Sequence, residues 1–151
     1  NTVAAIAAST NAIINTSSNI GGLTKDGTAF ANPVRGVSFR VANNLRERPV
    51  IGSLVSQEHG VGYCEITGQL DVYFTSAEML TAFLAHTAFA VEFPITDNAG
   101  NVMNVYLPNV QTASGSPQAS GVNTDVMQQV QFRALPSGSL GYQIQIDRLT
   151  A

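Results

Sequence analysis

One stretch of this chain leaves little choice of fold: residues 64–74, CEITGQLDVYF. Cys64, Ile66, Gly68, Leu70, Val72 and Phe74 fall on one parity, and Glu65, Thr67, Gln69, Asp71 and Tyr73 on the other. Successive side chains of a strand point to opposite faces, so this alternation predicts a strand with one buried and one wet face. At about 3.3 Å per residue it spans roughly 35 Å, long for a small domain. The next residues predict a cover for its apolar face. Thr75 suits an N-cap, Glu78 follows at capping-box spacing, and Phe74 and Met79 are placed for a hydrophobic staple. Met79, Leu80, Phe83 and Leu84 make an apolar stripe, and His86 falls in the last turn. The expectation is a helix over 75–86 lying on the sheet.

Other segments repeat the strand pattern. In 37–45, Val37, Phe39, Val41, Asn43 and Leu45 oppose Ser38, Arg40, Ala42 and Asn44. In 125–134, Val126, Val130, Phe132 and Ala134 oppose Gln129, Gln131 and Arg133, with Gln128 off pattern; in 140–147, Tyr142, Ile144 and Ile146 oppose Gln143, Gln145 and Asp147. Residues 88–95 read as a further strand, demoted to an edge or a strand end by Pro94. A turn at Asp97–Asn101 returns the chain through 102–107, and 111–123 reads as a flexible polar loop. The fold class expected is mainly β: an antiparallel sandwich or rolled barrel with one flanking helix, over 35–151. Residues 1–34 read as an arm or linker, with a turn at Lys25-Asp26-Gly27; 1–24 carry no charged side chain. The chain starts at Asn1 without a methionine, which fits a processed chain or one domain of a longer protein.

Four long strands with one polar face are thus expected, presenting Arg40, Glu65, Thr67, Gln69, Asp71, Gln129, Gln131, Arg133, Gln143, Gln145 and Asp147. Glutamine dominates and lysine is missing from this set. A Gln-rich sheet is a poor choice for a solitary domain, because its edges invite pairing. Charged residues are only 11% of the chain, against about 25% in an ordinary globular protein. Such a surface fits one covered by partners. The long connection 46–63 is the second candidate contact: it carries Arg46, Glu47 and Arg48 at its base and the apolar Val50, Ile51, Leu54 and Val55.

Other function classes find little support. Net charge is −3, which argues against a reader of nucleic acid with a basic footprint. The single cysteine, Cys64, sits on the buried parity and reads as a packed thiol. His59 and His86 have no partners at metal-ligand spacing, and no phosphate loop or nucleophile elbow is present, so neither catalytic, metal nor cofactor sites are expected. Asp71 and Asp147 form a conceivable carboxylate pair across strands; solvated wall charges are the plainer reading. A carbohydrate-binding or adhesive sandwich would show aromatic platforms, and this chain has no Trp and four Tyr. No apolar run is long enough to span a bilayer.

The segments VSFRVANNLRERPVIGS, GYCEITGQLDVYFTSAEMLTAFL, NVMNVYLPNVQ and DVMQQVQFRALPSGSLGYQIQIDR together resemble the tail tube proteins of long-tailed bacteriophages, in particular the C-terminal tube domain of the larger, two-domain type. The resemblance spans about residues 20–149. It implies a structural subunit that is not an enzyme, assembling hexameric or pseudo-hexameric trimeric rings that stack into a tube and conduct DNA from the capsid. It implies tape measure, terminator and tail tip proteins as partners, a place in the virion tail, assembly in the bacterial cytoplasm, and no membrane. The polar strands would line the lumen with a neutral-to-acidic surface, and 46–63 would stack ring on ring. The tube protein of a type VI-like secretion system is the alternative with the same physics.

Overall fold

A computed structural model describes residues 19–52 and 58–150. Among these the chain forms β1 (Thr24–Lys25), β2 (Thr28–Ala29), β3 (Val34–Ala42), β4 (Arg46–Arg48), β5 (Glu58–Gly60), β6 (Glu65–Tyr73), α1 (Glu78–Leu84), β7 (Phe89–Thr96), β8 (Val102–Ser114), β9 (Pro117–Gln118), β10 (Met127–Ala134) and β11 (Gln145–Leu149). Nine strands make one antiparallel sheet ordered β2-β1-β7-β8-β10-β6-β3, with β11 on β8 and β9 on β10; β4 and β5 form a separate ribbon.

The alternating stretch becomes β6, with β3 and β10 on its two sides. The register aligns apolar rows across all three strands: Val37–Leu70–Val130, Phe39–Gly68–Phe132 and Val41–Ile66–Ala134. Directly opposed residues of an antiparallel pair share a face, so the parity of β6 is imposed on both neighbours. Gly68 sits between two phenylalanines because nothing larger fits. A Cβ there would lie 2.3 Å from Phe132 Cζ and 2.5 Å from the Ser38 carbonyl oxygen.

β8 joins the two halves of the sheet. Its Val102–Val110 stretch pairs with β7; its other edge carries β11 at 102–106 and β10 at 110–114. A register shift against β7 between Leu107 and Val110 moves the buried parity from Val105 and Leu107 to Val110 and Thr112. Pro108, which has no N–H for a ladder, falls within this bulge. The sheet then rolls until the Phe39 ring lies 5.4 Å from Phe93, tilted at 60°. One core results, built from Ile66, Leu70, Val72, Val91, Leu107, Val130 and their neighbours, with Met79 and Ala82 of α1 packed into it. The architecture is the expected antiparallel β fold with one short helix.

Several local expectations are corrected. The helix begins at Glu78 rather than Thr75. Its N-cap is Ala77, without a side-chain cap bond, so no capping box or Phe74–Met79 staple forms in the expected register. Ser76 instead bonds Asn32, whose amide also donates to the carbonyls of Tyr73 and Ser76 (3.1 Å each), holding the chain before the helix. Glu78 pairs with Lys25 of β1 at 2.5 Å. The buried stripe is Met79 and Ala82, and Leu84 faces solvent. His86 lies past the helix in a left-handed conformation (φ 50°), with its N–H on the Phe83 carbonyl and the Thr87 N–H on that of Ala82. That is a Schellman ending, formed here on a histidine where glycine is usual.

The first expected strand runs over Val34–Ala42, leaving Asn43–Leu45 outside it, and the last over Gln145–Leu149, leaving 140–144 outside. Part of the segment read as a flexible loop, 111–114, belongs to β8. Residues 19–34, read within an arm or linker, join the sheet. β1 pairs with β7, β2 returns on β1 through a turn at Asp26–Gly27, and Asn32 is buried. Residues 1–18 of that segment lie outside the described residues. The turn between β7 and β8 is built on Asp97, which accepts from the N–H groups of Ala99 and Asn101 and from the Asn101 side chain. The Asn101 side-chain bond, first among these, holds the carboxyl below its ordinary value.

Candidate functional site

The side of β3, β6 and β10 opposite the core is mainly polar. Its rows read Ala42–Glu65, Arg40–Thr67–Arg133, Ser38–Gln69–Gln131, Gly36–Asp71–Gln129 and, at the end, Tyr73–Met127. Eight of the eleven expected face residues are therefore brought onto three adjacent strands: Arg40, Glu65, Thr67, Gln69, Asp71, Gln129, Gln131 and Arg133. The face holds itself in place with its own amides. Asp71 Oδ1 accepts from Gln69 Nε2 (3.0 Å) and Gln129 Nε2 (3.3 Å). Arg133 reaches Glu65 at 3.3 Å, with both side chains more than two-fifths exposed, so this pair adds little stability. The Arg133 guanidinium also lies 6.0 Å from the centre of the Tyr63 ring.

The remaining three residues sit elsewhere. β11 runs against β8, not against β10 or β6. Gln145 and Asp147 stand opposite Tyr106 and Asn104, where Gln145 donates to both Asp147 oxygens (3.0 and 2.9 Å) and accepts from the Tyr142 hydroxyl. Gln143 precedes β11 and donates to the Tyr63 hydroxyl at 3.3 Å. The picture of four polar strands side by side is corrected to three, with β11 offset along β8. Asp71 and Asp147 are not cross-strand neighbours, because β10 and β8 intervene between their strands.

Two face residues escaped the sequence. Arg35 has the parity of Val37, but a bulge between Val34 and Gly36 lets it join Asp71, Gln118 and Gln129 around a hollow of about 180 Å³. Gln111 pairs with Arg133 from the part of β8 read as a loop. The alternation of β3 gives no sign of Arg35, since only the bulge turns it outward. With it, the three strands carry Arg35, Arg40 and Arg133 against Glu65 and Asp71, so the neutral-to-acidic face is corrected to one of near charge balance.

Within the connection 46–63, the described residues include a β-ribbon, β4 with β5. Arg46 pairs with Gly60, Glu47 with His59 and Arg48 with Glu58, and Arg48 and Glu58 also form an ion pair. Val50 and Ile51 lie exposed beyond it. Leu54 and Val55 fall outside the described residues. Among the described residues, no group of three His, Cys, Asp or Glu side chains comes together, and no helix is long and apolar enough to cross a membrane.

Comparisons with known proteins bear on this geometry. No curated protein sequence matches the chain. Among solved structures, the chain is similar to the tube-terminating cap of an anti-feeding prophage, with 14% identity, a TM-score of 0.67 and 100% of both chains covered. It is similar to the sheath/tube terminator of an extracellular contractile injection system, with 12% identity and a TM-score of 0.66 over 92% of this chain and 99% of that one. A chain of the sheath-tube complex of such a system, in the extended state, shares 11% identity and a TM-score of 0.62 over 92% of this chain and 93% of that one. At these identities the likeness is one of fold. The family model that describes the phage tail tube protein matches residues 1–134, which include the helix and all three strands of the polar face. The chain belongs to the phage tail tube protein family, a structural family of tail components.

Proposed function

We propose that this protein is a ring-forming subunit of a tail tube, and that the polar face of β3, β6 and β10 lines the channel of the stacked rings. The observation that carries the reading is the combination of that face with an open edge. Three in-register strands present Gln, Thr, Ser and a few balanced charges on one side and the hydrophobic core on the other, and among the described residues they end at β3, a nine-residue strand paired on one side only. A sheet with such an edge is completed by a neighbouring chain, and closure into a ring removes every free edge. The helix then lies on the far side from the channel, and the ribbon β4–β5, with Val50 and Ile51 beyond it, reaches the next ring. Tail terminator, tape measure and tail tip proteins are the partners at the tube's ends and within it.

DNA is the passenger of this reading. A channel that passes a polyanion must not hold it, and binding of phosphates by Lys and Arg is strengthened by counterion release. Here the guanidiniums form no continuous track, because Glu65 stands one row from Arg40 and Arg133, and Asp71 two rows away on the other side. The near balance of charge also suits a protein passenger, as in a contractile injection or secretion tube, and that is the second reading.

Electron microscopy of the purified protein at high concentration, and of the particle that contains it, tests the proposal. Stacked rings with a central channel are expected. A protein that stays monomeric, with no rings in the particle, would refute both readings; in ring-forming material, the identity of the passenger separates them.

A further inference from the structure

The row Arg40–Thr67–Arg133 crosses the floor of a hollow on the polar face, about 520 Å³, which Ser38, Gln69 and Gln131 also line. The two arginines stand on strands either side of β6, so their Cα atoms lie roughly 10 Å apart, two strand spacings. Both residues line the same hollow, with Thr67 between their strands. No carboxylate lines it, and among the described residues none lies within ion-pair distance of Arg40. Arg133 meets Glu65 at 3.3 Å through one terminal nitrogen, Nη2, which leaves the rest of its donor fork free of that carboxylate. The amide of Gln69 is engaged by Asp71. The donor-bearing residues that line the hollow, besides Gln69, are thus two arginines, Ser38, Thr67 and Gln131. Paired guanidiniums with nearby hydroxyls are an oxyanion site, and charge-assisted forks are the strongest hydrogen bonds available to hold one.

The surroundings select the kind of oxyanion. Glu65 lies one row from Thr67 along β6, about 7 Å, and Asp71 two rows the other way, about 13 Å. A nucleic-acid strand carries one phosphate per roughly 3.4 Å. Lying along the strands, it would set phosphates against Glu65 whenever one occupied the hollow. A solitary carboxylate meets no such conflict. The face already holds its own carboxylates this way, Glu65 on Arg133 and Asp71 on two glutamine amides.

We propose that the Arg40–Thr67–Arg133 hollow is a docking site for a single carboxylate of a polypeptide, supplied by an acidic side chain of a protein that lies against the polar face. The binding chemistry stands on the face alone; placing the occupant inside a tube rests on the reading above. Two measurements keep these apart. The first follows amide and arginine side-chain resonances of the soluble protein, at low salt, during titration with a short peptide of glutamates spaced by glycines, with its glutamine counterpart, and with duplex DNA. Shifts concentrated at Arg40, Thr67 and Arg133 are expected with the glutamate peptide only, and Arg40→Gln should weaken its binding at least about tenfold while the thermal midpoint stays unchanged. Shifts spread evenly over Arg46, Arg48 and Arg148, equal effects of the glutamine peptide, or tighter binding of DNA would each overturn the proposal. The second is ring formation by the wild-type protein, followed by electron microscopy. Wild-type rings without binding of the glutamate peptide would remove the docking site and leave the tube, and peptide binding by a wild-type protein that forms no rings would do the reverse.

Discussion

At the scale of single residues, this fold depends most sharply on Gly68. The alternation places it on the buried parity, but nothing in the sequence says why a glycine stands among Ile66, Leu70 and Val72. The reason is lateral. Phe39 and Phe132 flank it from the adjacent strands, and the space above its Cα is taken by the Phe132 ring and the Ser38 carbonyl. Gly68→Ala should therefore cost about 1–3 kcal/mol, as overpacking of a filled core does, despite the higher strand propensity of alanine. Thermal or urea unfolding would show it, and an unchanged midpoint would mean that Phe132 swings aside without penalty. Arg35 and His86 teach the same lesson from outside the core. Their positions are decided by a bulge and by a helix ending, local backbone events that side-chain parity does not encode.

At the scale of elements, what could be read from the sequence were the segments whose pattern is imposed by one neighbour pair on each side. β6, β10, β7 and most of β3 follow from period-two alternation, and the helix follows from its apolar stripe, though its N-cap, Ala77, stands two residues after the Thr75 that its capping signals indicate. What could not be read depends on pairing between segments with weak patterns. β1 and β2 are two residues each, and the ribbon β4–β5 is charged on both strands, so neither shows alternation. The offset of β11 onto β8 is set by the turn at 137–141, where Gly141 takes φ 76° and its N–H meets the Ser137 carbonyl. The polar face was legible for the same reason as the core, since each fixes the other. The ribbon allows a clean excision. Arg46 and Gly60 are paired partners, so their Cα atoms stand about 5 Å apart, within reach of a two-residue turn. Replacing residues 47–59 by Asn-Gly should leave the β3–β6 ladder and the cooperative unfolding transition intact, while abolishing stacking of rings into tubes. Tubes of ordinary length from this variant would take the stacking role away from the ribbon.

At the scale of the whole molecule, the two ends of the sheet differ among the described residues. Its β2 end is a two-residue strand and offers little to a partner. The β3 end is long, and its core-side residues are incompletely covered: Phe39 is 36% exposed, Val41 43% and, just beyond the strand, Leu45 61%. Proteins that remain alone protect such an edge with lysine, proline or an inward charge; the interior of β3 has no lysine or proline, and its one irregularity is the bulge at its start. A two-fold pairing of β3 with itself would give dimers and stop there, whereas a ring needs this edge to meet a different surface of the next copy, so that every junction is the same and the rotation closes. The apolar strip and the open ladder would then be buried together. Placing a lysine at Val41 and another at Leu45 tests this without touching the core, because neither belongs to the buried cluster. Val41→Lys/Leu45→Lys should fold, unfold with nearly the wild-type midpoint and remain monomeric in sedimentation, since a charge on the strip must be desolvated at every junction. If the double variant still forms rings, β3 is not the junction, and the strip must be covered by some other part of the assembly.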